Sequence, residues 1–157
     1  MIDANENSEL LRQCQAITAD EPDLIANLAN ISALIFDGLD DINWAGFYLV
    51  RGQDELVLGP FQGKVACVRI PFGKGVCGVA AQQQQLQHVD DVHQFSGHIA
   101  CDAASNSEVV APIVINNKVV AVLDIDSPSV GRFSVKDADV IAEIAQHCTQ
   151  LDWSQLG

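Results

Sequence analysis

Three cysteines occupy positions where a thiol could take part in covalent chemistry. Cys101 lies in the longest stretch without clear periodicity, residues 90–106, where its side chain could be accessible and backbone donors could stabilise a thiolate. Cys77 follows a glycine-rich turn and is expected near a helix N-terminus, a position that lowers the pKa of a thiol. Cys67 is expected in the middle of a strand.

The other two cysteines have adequate explanations as packing residues. Cys148 continues the apolar stripe of a predicted helix, and Cys14 lies in a second predicted helix. No pair of cysteines is spaced as CxxC, so the spacing supports neither a zinc ribbon nor a thioredoxin-like motif. The odd total of five cysteines argues against a static disulfide framework and favours a transient, catalytic disulfide.

Three acidic residues mark a second candidate site. Strand alternation places Asp124 and Asp126 on the same face as Val120 and Val122, and Glu108 on the preceding strand can reach the same region. Carboxylates this close on an apolar face need a cation, hydrogen-bond donors or a shared proton, because burial and mutual repulsion disfavour ionisation. The group could therefore bind an amine and donate a proton.

Two other interpretations of these acids remain open. They could lie at strand ends, solvated or capping the Ser127-Pro128 turn. They could also hold a hard divalent cation, but neither an EF-hand loop nor a His-carboxylate signature accompanies them, so no metal is expected.

Two further features could complete a pocket for a small molecule. Trp44 and Tyr48 fall on one face of their predicted strand and could form a wall for an apolar methyl group. The glycine-rich residues 73–78 lack the ending of a Walker loop, yet their backbone amides could hold a small carboxylate. A simple turn explains the same glycines equally well.

Helices at both ends and strands between them must position these residues. The first long helix is predicted at residues 20–38, with Asp20 as its N-cap, and the last begins at a capping box formed by Ser134 and Asp137. Shorter helices are predicted around residues 10–17 and 79–81. The predicted strands are residues 44–50, 55–58, 65–70, 108–115 and 118–125, with Asn116-Asn117 as the turn of the last hairpin. The pattern predicts an α+β fold, with a central antiparallel sheet flanked by N- and C-terminal helices.

Length and charge limit the classes of partner. A chain of 157 residues fits one domain, so we expect residues 1–157 to form a single unit. Twenty-one acidic and eight basic residues give a net charge of −13, which disfavours binding to nucleic acids and to anionic membranes. The first residues lack a signal-like pattern, so a cytoplasmic location is expected. Small zwitterionic or cationic ligands fit this charge.

Seven segments, in order, resemble the motifs of the free methionine-R-sulfoxide reductase family. The resemblance extends from about the first long helix to Phe133 and includes all three of the family's cysteine positions. The segments are NWAGFYL (43–49), LGPFQG (58–63), ACVRIP (66–71), GKGVCG (73–78), DVH (91–93), GHIACDAASNSE (97–108) and VLDIDS (122–127).

The resemblance implies a GAF fold, a homodimer and the reduction of free methionine-R-sulfoxide. It implies that Cys101 is the catalytic cysteine, Cys67 the usual resolving cysteine and Cys77 a third cysteine able to relay oxidation. The implied substrate-site residues are Glu108, Asp124, Asp126, Trp44 and Tyr48. A disulfide formed during turnover would be reopened by thioredoxin through thiol exchange, and no metal or organic cofactor is needed.

Two other functions remain open at this stage. The chain could be a non-enzymatic GAF sensor, although no output module or long coiled coil follows the domain. It could also be a redox-responsive interaction protein that uses its cysteines as a switch.

Overall fold

The computed structural model describes residues 4–97 and 104–156, in which four helices accompany one six-stranded sheet. The helices are α1 (Ala4–Thr18), α2 (Leu24–Gly38), α3 (Gly75–Gln83) and α4 (Val135–Cys148). The strands are β1 (Trp44–Arg51), β2 (Glu55–Gly63), β3 (Arg69–Pro71), β4 (Gln87–Val89), β5 (Ser107–Ile115) and β6 (Lys118–Ser127). Neighbouring strands are antiparallel in the order β3-β2-β1-β6-β5-β4, which confirms the α+β prediction. In the described chain, no helix combines the length and apolarity needed to cross a membrane.

The two faces of the sheet belong to different cores. On β6, Ala121, Leu123 and Ile125 point into the larger core, where α2 and α4 pack on the sheet and α1 packs on both helices. Val122 points to the opposite face, which is covered by α3. We call the α3-covered surface the site face, because the candidate acids and aromatics lie on it.

Helix α2 begins three residues later than the sequence suggested. Asp23, not Asp20, is the N-cap, and its Oδ2 accepts a hydrogen bond of 2.8 Å from the amide of Ala26. Asp23 precedes the first helical residue directly, so its carboxylate reaches a free amide of the first turn, whereas Asp20 is too far along the chain. The predicted apolar face is confirmed, since its four members are fully buried: Leu24, Leu28, Ile31 and Ile35.

Helix α4 has the predicted capping box. The amide of Asp137 donates to Ser134 Oγ at 3.1 Å, and the amide of Ser134 donates to Asp137 Oδ2 at 2.9 Å. Arg132 adds an ion pair of 3.0 Å to the same carboxylate. These bonds satisfy donors at the helix start that would otherwise be unpaired.

The β5–β6 hairpin confirms the predicted turn and corrects one side-chain orientation. Asn116 and Asn117 both have positive φ, 52° and 63°, as a tight two-residue turn requires. The register then shifts, because Val119 pairs with Val114 whereas Ala121 pairs with Ile113. This bulge turns Val120 toward the helical core, so the prediction that it shares the face of the acids was wrong.

Strand β3 is shorter than predicted. It covers only Arg69–Pro71, so Cys67 lies in an irregular segment before the strand and not in its middle. The carbonyls of Lys64 and Cys67 accept hydrogen bonds from aromatic side chains of β1, which replaces strand pairing at these two residues. Strand β4 was not predicted.

Candidate active site

The three candidate acids lie side by side on the site face. Antiparallel pairing sets Trp44 opposite Asp126 and Asp126 opposite Glu108, and the next row sets Gly46 opposite Asp124. Glu108, Asp124 and Asp126 are only 8%, 4% and 8% exposed. The alternative in which these acids are solvated at strand ends is therefore wrong.

The thiol of Cys77 lies against the same acids. Helix α3 packs across β5 and β6, and Cys77 Sγ donates a hydrogen bond to Glu108 Oε2 at 3.9 Å. The sulfur of Cys77 and one carboxylate oxygen each of Glu108 and Asp124 all lie within 4.8 Å of one another. Sequence reasoning missed this contact, because it depends on how α3 packs and not on local spacing.

Burial and mutual repulsion keep protons on this group. Burial raises the pKa of Glu108 well above its usual range, and the nearby Asp124 charge adds to the effect. Burial likewise raises the pKa of Asp124, with a further contribution from Asp126. None of the described residues forms an ion pair with Glu108 or Asp124. The cluster is thus suited to hold a proton or to receive a cation.

The same surroundings correct the expectation for Cys77. It lies in the first turn of α3, as predicted, but burial raises the pKa of its thiol, and the charges of Asp124 and Glu108 raise it further. Desolvation, together with repulsion from either acid when it is ionised, outweighs the positive end of a nine-residue helix. Cys77 is therefore a neutral thiol in this pocket.

The geometry of Cys77, Glu108 and Asp124 also places one donor atom of each where a metal ion could contact all three. Each donor would have to lose its proton first, and the raised pKa values of all three groups oppose that loss. An organic ammonium group makes a smaller demand, because it needs only one ionised carboxylate and donates hydrogen bonds to the others.

The buried acids predict a characteristic pH dependence of stability. The folded chain retains protons on Glu108 and Asp124 that the unfolded chain releases, so the free energy of unfolding should fall as pH rises above 4.5, the ordinary pKa of a glutamate. The slope is about 1.4 kcal/mol per pH unit for each retained proton. Urea unfolding followed by tryptophan fluorescence between about pH 5 and about pH 8 measures this slope.

Other groups also contribute to the pH dependence of stability, so the informative quantity is the difference between variants. The double variant Glu108→Gln and Asp124→Asn should lose most of this slope, whereas Glu143→Gln, on the exposed side of α4, should keep it. Equal slopes for the wild type and the double variant would show that the two acids are ionised in the folded protein.

An aromatic wall lies beside the acids. Trp44 stacks on Tyr48 with ring centroids 5.8 Å apart, and on Phe61 with centroids 5.0 Å apart. Phe61 was not predicted as a site residue. Its place depends on Gly46 across the strand pair, where a Cβ atom would lie 2.2 Å from Phe61 Cβ. The glycine between Trp44 and Tyr48 was the available signal, but only the register shows which residue approaches it.

The polar ends of two wall residues contact the segment that carries Cys67. The Trp44 indole N–H donates to the carbonyl of Lys64 at 3.2 Å, and the Tyr48 hydroxyl donates to the carbonyl of Cys67 at 2.9 Å. Cys67 is half-buried beside the same core as the wall residues. The structure thus brings Cys67, Cys77, the acids and the aromatics to one face.

Cys101 lies outside the described residues, but the chain on either side of it is fixed near the site. The amide of Gly75, at the start of α3, donates to the carbonyl of Gly97 at 3.0 Å. After the gap, Ser105 Oγ donates to Asn43 Oδ1 at 3.4 Å, next to Trp44. The prediction that Cys101 is the nucleophile therefore stays a prediction.

Comparison with known proteins identifies the class to which this fold and site belong. The GAF domain family matches residues 25–151, so the chain is a GAF-domain protein. It is 56% identical to the free methionine-R-sulfoxide reductase of Escherichia coli (strain K12) over 137 residues, which cover 87% of this chain and 82% of that protein. The chain belongs to the free methionine-R-sulfoxide reductase family.

Solved structures agree with this assignment. The free methionine-R-sulfoxide reductase from Neisseria meningitidis in complex with its substrate matches with a TM-score of 0.92 and 39% identity, covering 99% of this chain and 95% of that chain. The fRMsr of Staphylococcus aureus in complex with substrate matches with a TM-score of 0.87 and 49% identity, covering 96% and 97%. The GAF fold implied by the sequence motifs is confirmed.

Proposed function

We propose that this protein reduces free methionine-R-sulfoxide to methionine. The observation that carries the proposal is the pairing, on one buried face, of an acid cluster with an aromatic wall. A free amino acid with an apolar end needs both features: carboxylates for its ammonium group and aromatic surface for its methyl group. Membership of the family supports the same substrate.

The acid cluster also explains a preference for the free amino acid. Free methionine sulfoxide has an α-ammonium group, whereas the nitrogen of a methionine sulfoxide within a protein chain is a neutral amide. Glu108, Asp124 and Asp126 would bind the ammonium group, and its charge would offset their mutual repulsion. Within residues 73–78, the amides of Val76 and Cys77 in the first turn of α3 would hold the substrate carboxylate, because the other four already donate to backbone carbonyls.

In the proposed first step, the Cys101 thiolate attacks the sulfoxide sulfur. A protonated acid of the pocket, Glu108 or Asp126, protonates the sulfoxide oxygen, which ends on Cys101 as a sulfenic acid. Methionine leaves as the reduced thioether, and Cys101 has lost two electrons. The raised pKa of Glu108 supports its role as the proton donor, since burial lets the group keep its proton to a higher pH than an ordinary glutamate does.

In the second step, a resolving thiol attacks the sulfenic sulfur, so that a disulfide forms and the oxygen leaves as water. Cys67 is the first candidate for this thiol and Cys77 the second. The raised pKa of Cys77 favours Cys67, because the attacking species is a thiolate. Thioredoxin would then supply two electrons and restore both thiols. The proposal also includes that the protein forms a homodimer and is located in the cytoplasm.

The test compares three sulfoxides under thioredoxin-coupled turnover. We expect reduction of free L-methionine-R-sulfoxide, and at least about 100-fold lower kcat/KM for the S epimer and for the N-acetyl R-sulfoxide, which lacks the ammonium group. NADPH consumption through thioredoxin reductase gives the rates. Binding without turnover would instead indicate a GAF sensor, and disulfide-dependent capture of a protein partner would indicate a redox switch.

A further inference from the structure

We propose that Trp44 and Tyr48 are positioning residues for the resolving step, because their polar ends hold the Cys67 segment against the pocket. We define the Cys67 segment as residues 64–67, between the end of β2 and the start of β3. The inference rests on the proposed function and extends it, since it gives the wall residues a role after methionine has formed.

Two backbone carbonyls of the Cys67 segment accept hydrogen bonds from side chains. It lies between two strands without belonging to either, and Val65 is 89% exposed, so this apolar side chain is not inserted into a core. The carbonyls of Lys64 and Cys67 accept their hydrogen bonds from Trp44 and Tyr48. The two bonds lie at opposite ends of the segment and fix both ends.

The donors themselves are rigidly held. Trp44 and Tyr48 are each only 2% exposed, so each polar end needs an acceptor inside the protein, and the carbonyls of the segment provide it. Phe61 stacks on the Trp44 ring with an angle of 14° between the planes. A Cβ atom on Gly63, where φ is +137°, would lie 2.6 Å from Trp44 Cδ1, so the chain passes close to the indole edge. The direction of the indole N–H is thus determined by packing.

This arrangement separates two roles within the same side chains. The ring faces stack in the aromatic wall, whereas the N–H and O–H groups donate to the backbone carbonyls of Lys64 and Cys67. Disulfide formation requires the α-carbons of the two reacting cysteines to approach within about 7 Å. A loosely held Cys67 segment would reach that geometry less often. Replacing Tyr48 by phenylalanine removes the hydroxyl and keeps the ring, which tests the second role.

The experiment follows both steps in one reaction. Fully reduced protein is mixed with excess free methionine-R-sulfoxide in the absence of a reductant, and samples are quenched with acid at successive times. Methionine released per chain reports the first step, and the loss of free thiols reports disulfide formation. Dimedone, added in parallel, traps any sulfenic acid as an adduct that mass spectrometry assigns to a cysteine.

For Tyr48→Phe we expect disulfide formation to slow about tenfold relative to methionine release, which corresponds to the loss of one hydrogen bond. The dimedone adduct on Cys101 should increase accordingly. Trp44→Phe should shift the same ratio in the same direction. The matched control is Trp153→Phe, which removes an indole N–H bond of 2.8 Å to the carbonyl of Cys148, far from the site face. It should leave the ratio unchanged.

Two results would overturn the inference. If methionine release and disulfide formation slow by the same factor in Tyr48→Phe, the hydroxyl acts in binding or in the first step. If the ratio stays at the wild-type value in both Tyr48→Phe and Trp44→Phe, the two bonds do not govern the resolving step. Absence of methionine release in the wild type would be a different failure, that of the proposed function itself.

Discussion

Replacing Cys101 by serine is expected to lower kcat/KM for free methionine-R-sulfoxide by roughly 1,000-fold or more. A serine hydroxyl does not ionise near neutral pH, so it cannot replace the thiolate of the proposed first step. The measurement is methionine formed with thioredoxin present, together with a single-turnover assay in its absence. Both should fail, because the first chemical step is lost.

The other cysteines provide the controls. Cys67→Ser should still release about one methionine per chain and then stop, since only resolution is blocked. Cys14→Ala and Cys148→Ala should keep most of their activity, because both thiols are fully buried and free in the helical core, where burial raises the pKa of Cys14 to about 12. Full turnover by Cys101→Ser would refute the assignment of the nucleophile.

Replacing Glu108 by glutamine is expected to lower kcat/KM at least about 100-fold, the usual effect of losing a general acid. Glutamine has nearly the same shape but neither protonates the sulfoxide oxygen nor attracts the ammonium group. The stability of the folded protein should increase, although the activity falls. At about pH 7 the urea midpoint should rise, because glutamine removes one of the buried acids whose ionisation is unfavourable in the folded protein.

Glu143→Gln is the matched control, since it makes the same chemical change at an exposed position of α4. It should change neither activity nor urea midpoint. A Glu108→Gln protein that loses activity together with stability would show that Glu108 supports the fold, and one that keeps activity would remove it from the proposed chemistry.

Local spacing was sufficient to predict several parts of the fold. The Asn116-Asn117 turn and the Ser134 capping box depend on residues at most three positions apart, so the sequence determines them directly. The position of Cys67 and the orientation of Val120 depend on partners from other strands. A bulge or a side-chain-to-backbone bond across the fold leaves no periodic signal in the sequence, and both predictions were wrong.

For the candidate site, too, local spacing predicted some features and missed those that depend on packing. Alternation along β6 correctly placed Asp124 and Asp126 on one face, and the preceding strand correctly brought Glu108 to the same region. Their burial, and the contact of Glu108 with Cys77, follow from the packing of α3 across the sheet, which spacing does not encode. A helix N-terminus lowers the pKa of a thiol, whereas desolvation raises it. The net effect on Cys77 could be judged only once its neighbours in the fold were known.

The acidic surroundings of Cys77 have a consequence for how the protein withstands oxidants. Hydrogen peroxide and alkylating electrophiles react with thiolates, so a sulfur whose pKa is raised by burial and by adjacent carboxylates is a slow target for both. An enzyme that meets an oxidised metabolite in every catalytic cycle can in this way protect one sulfur from irreversible conversion to sulfinic or sulfonic acid. The carboxylates that bind the substrate in the proposed reaction would then also slow the oxidation of the neighbouring sulfur.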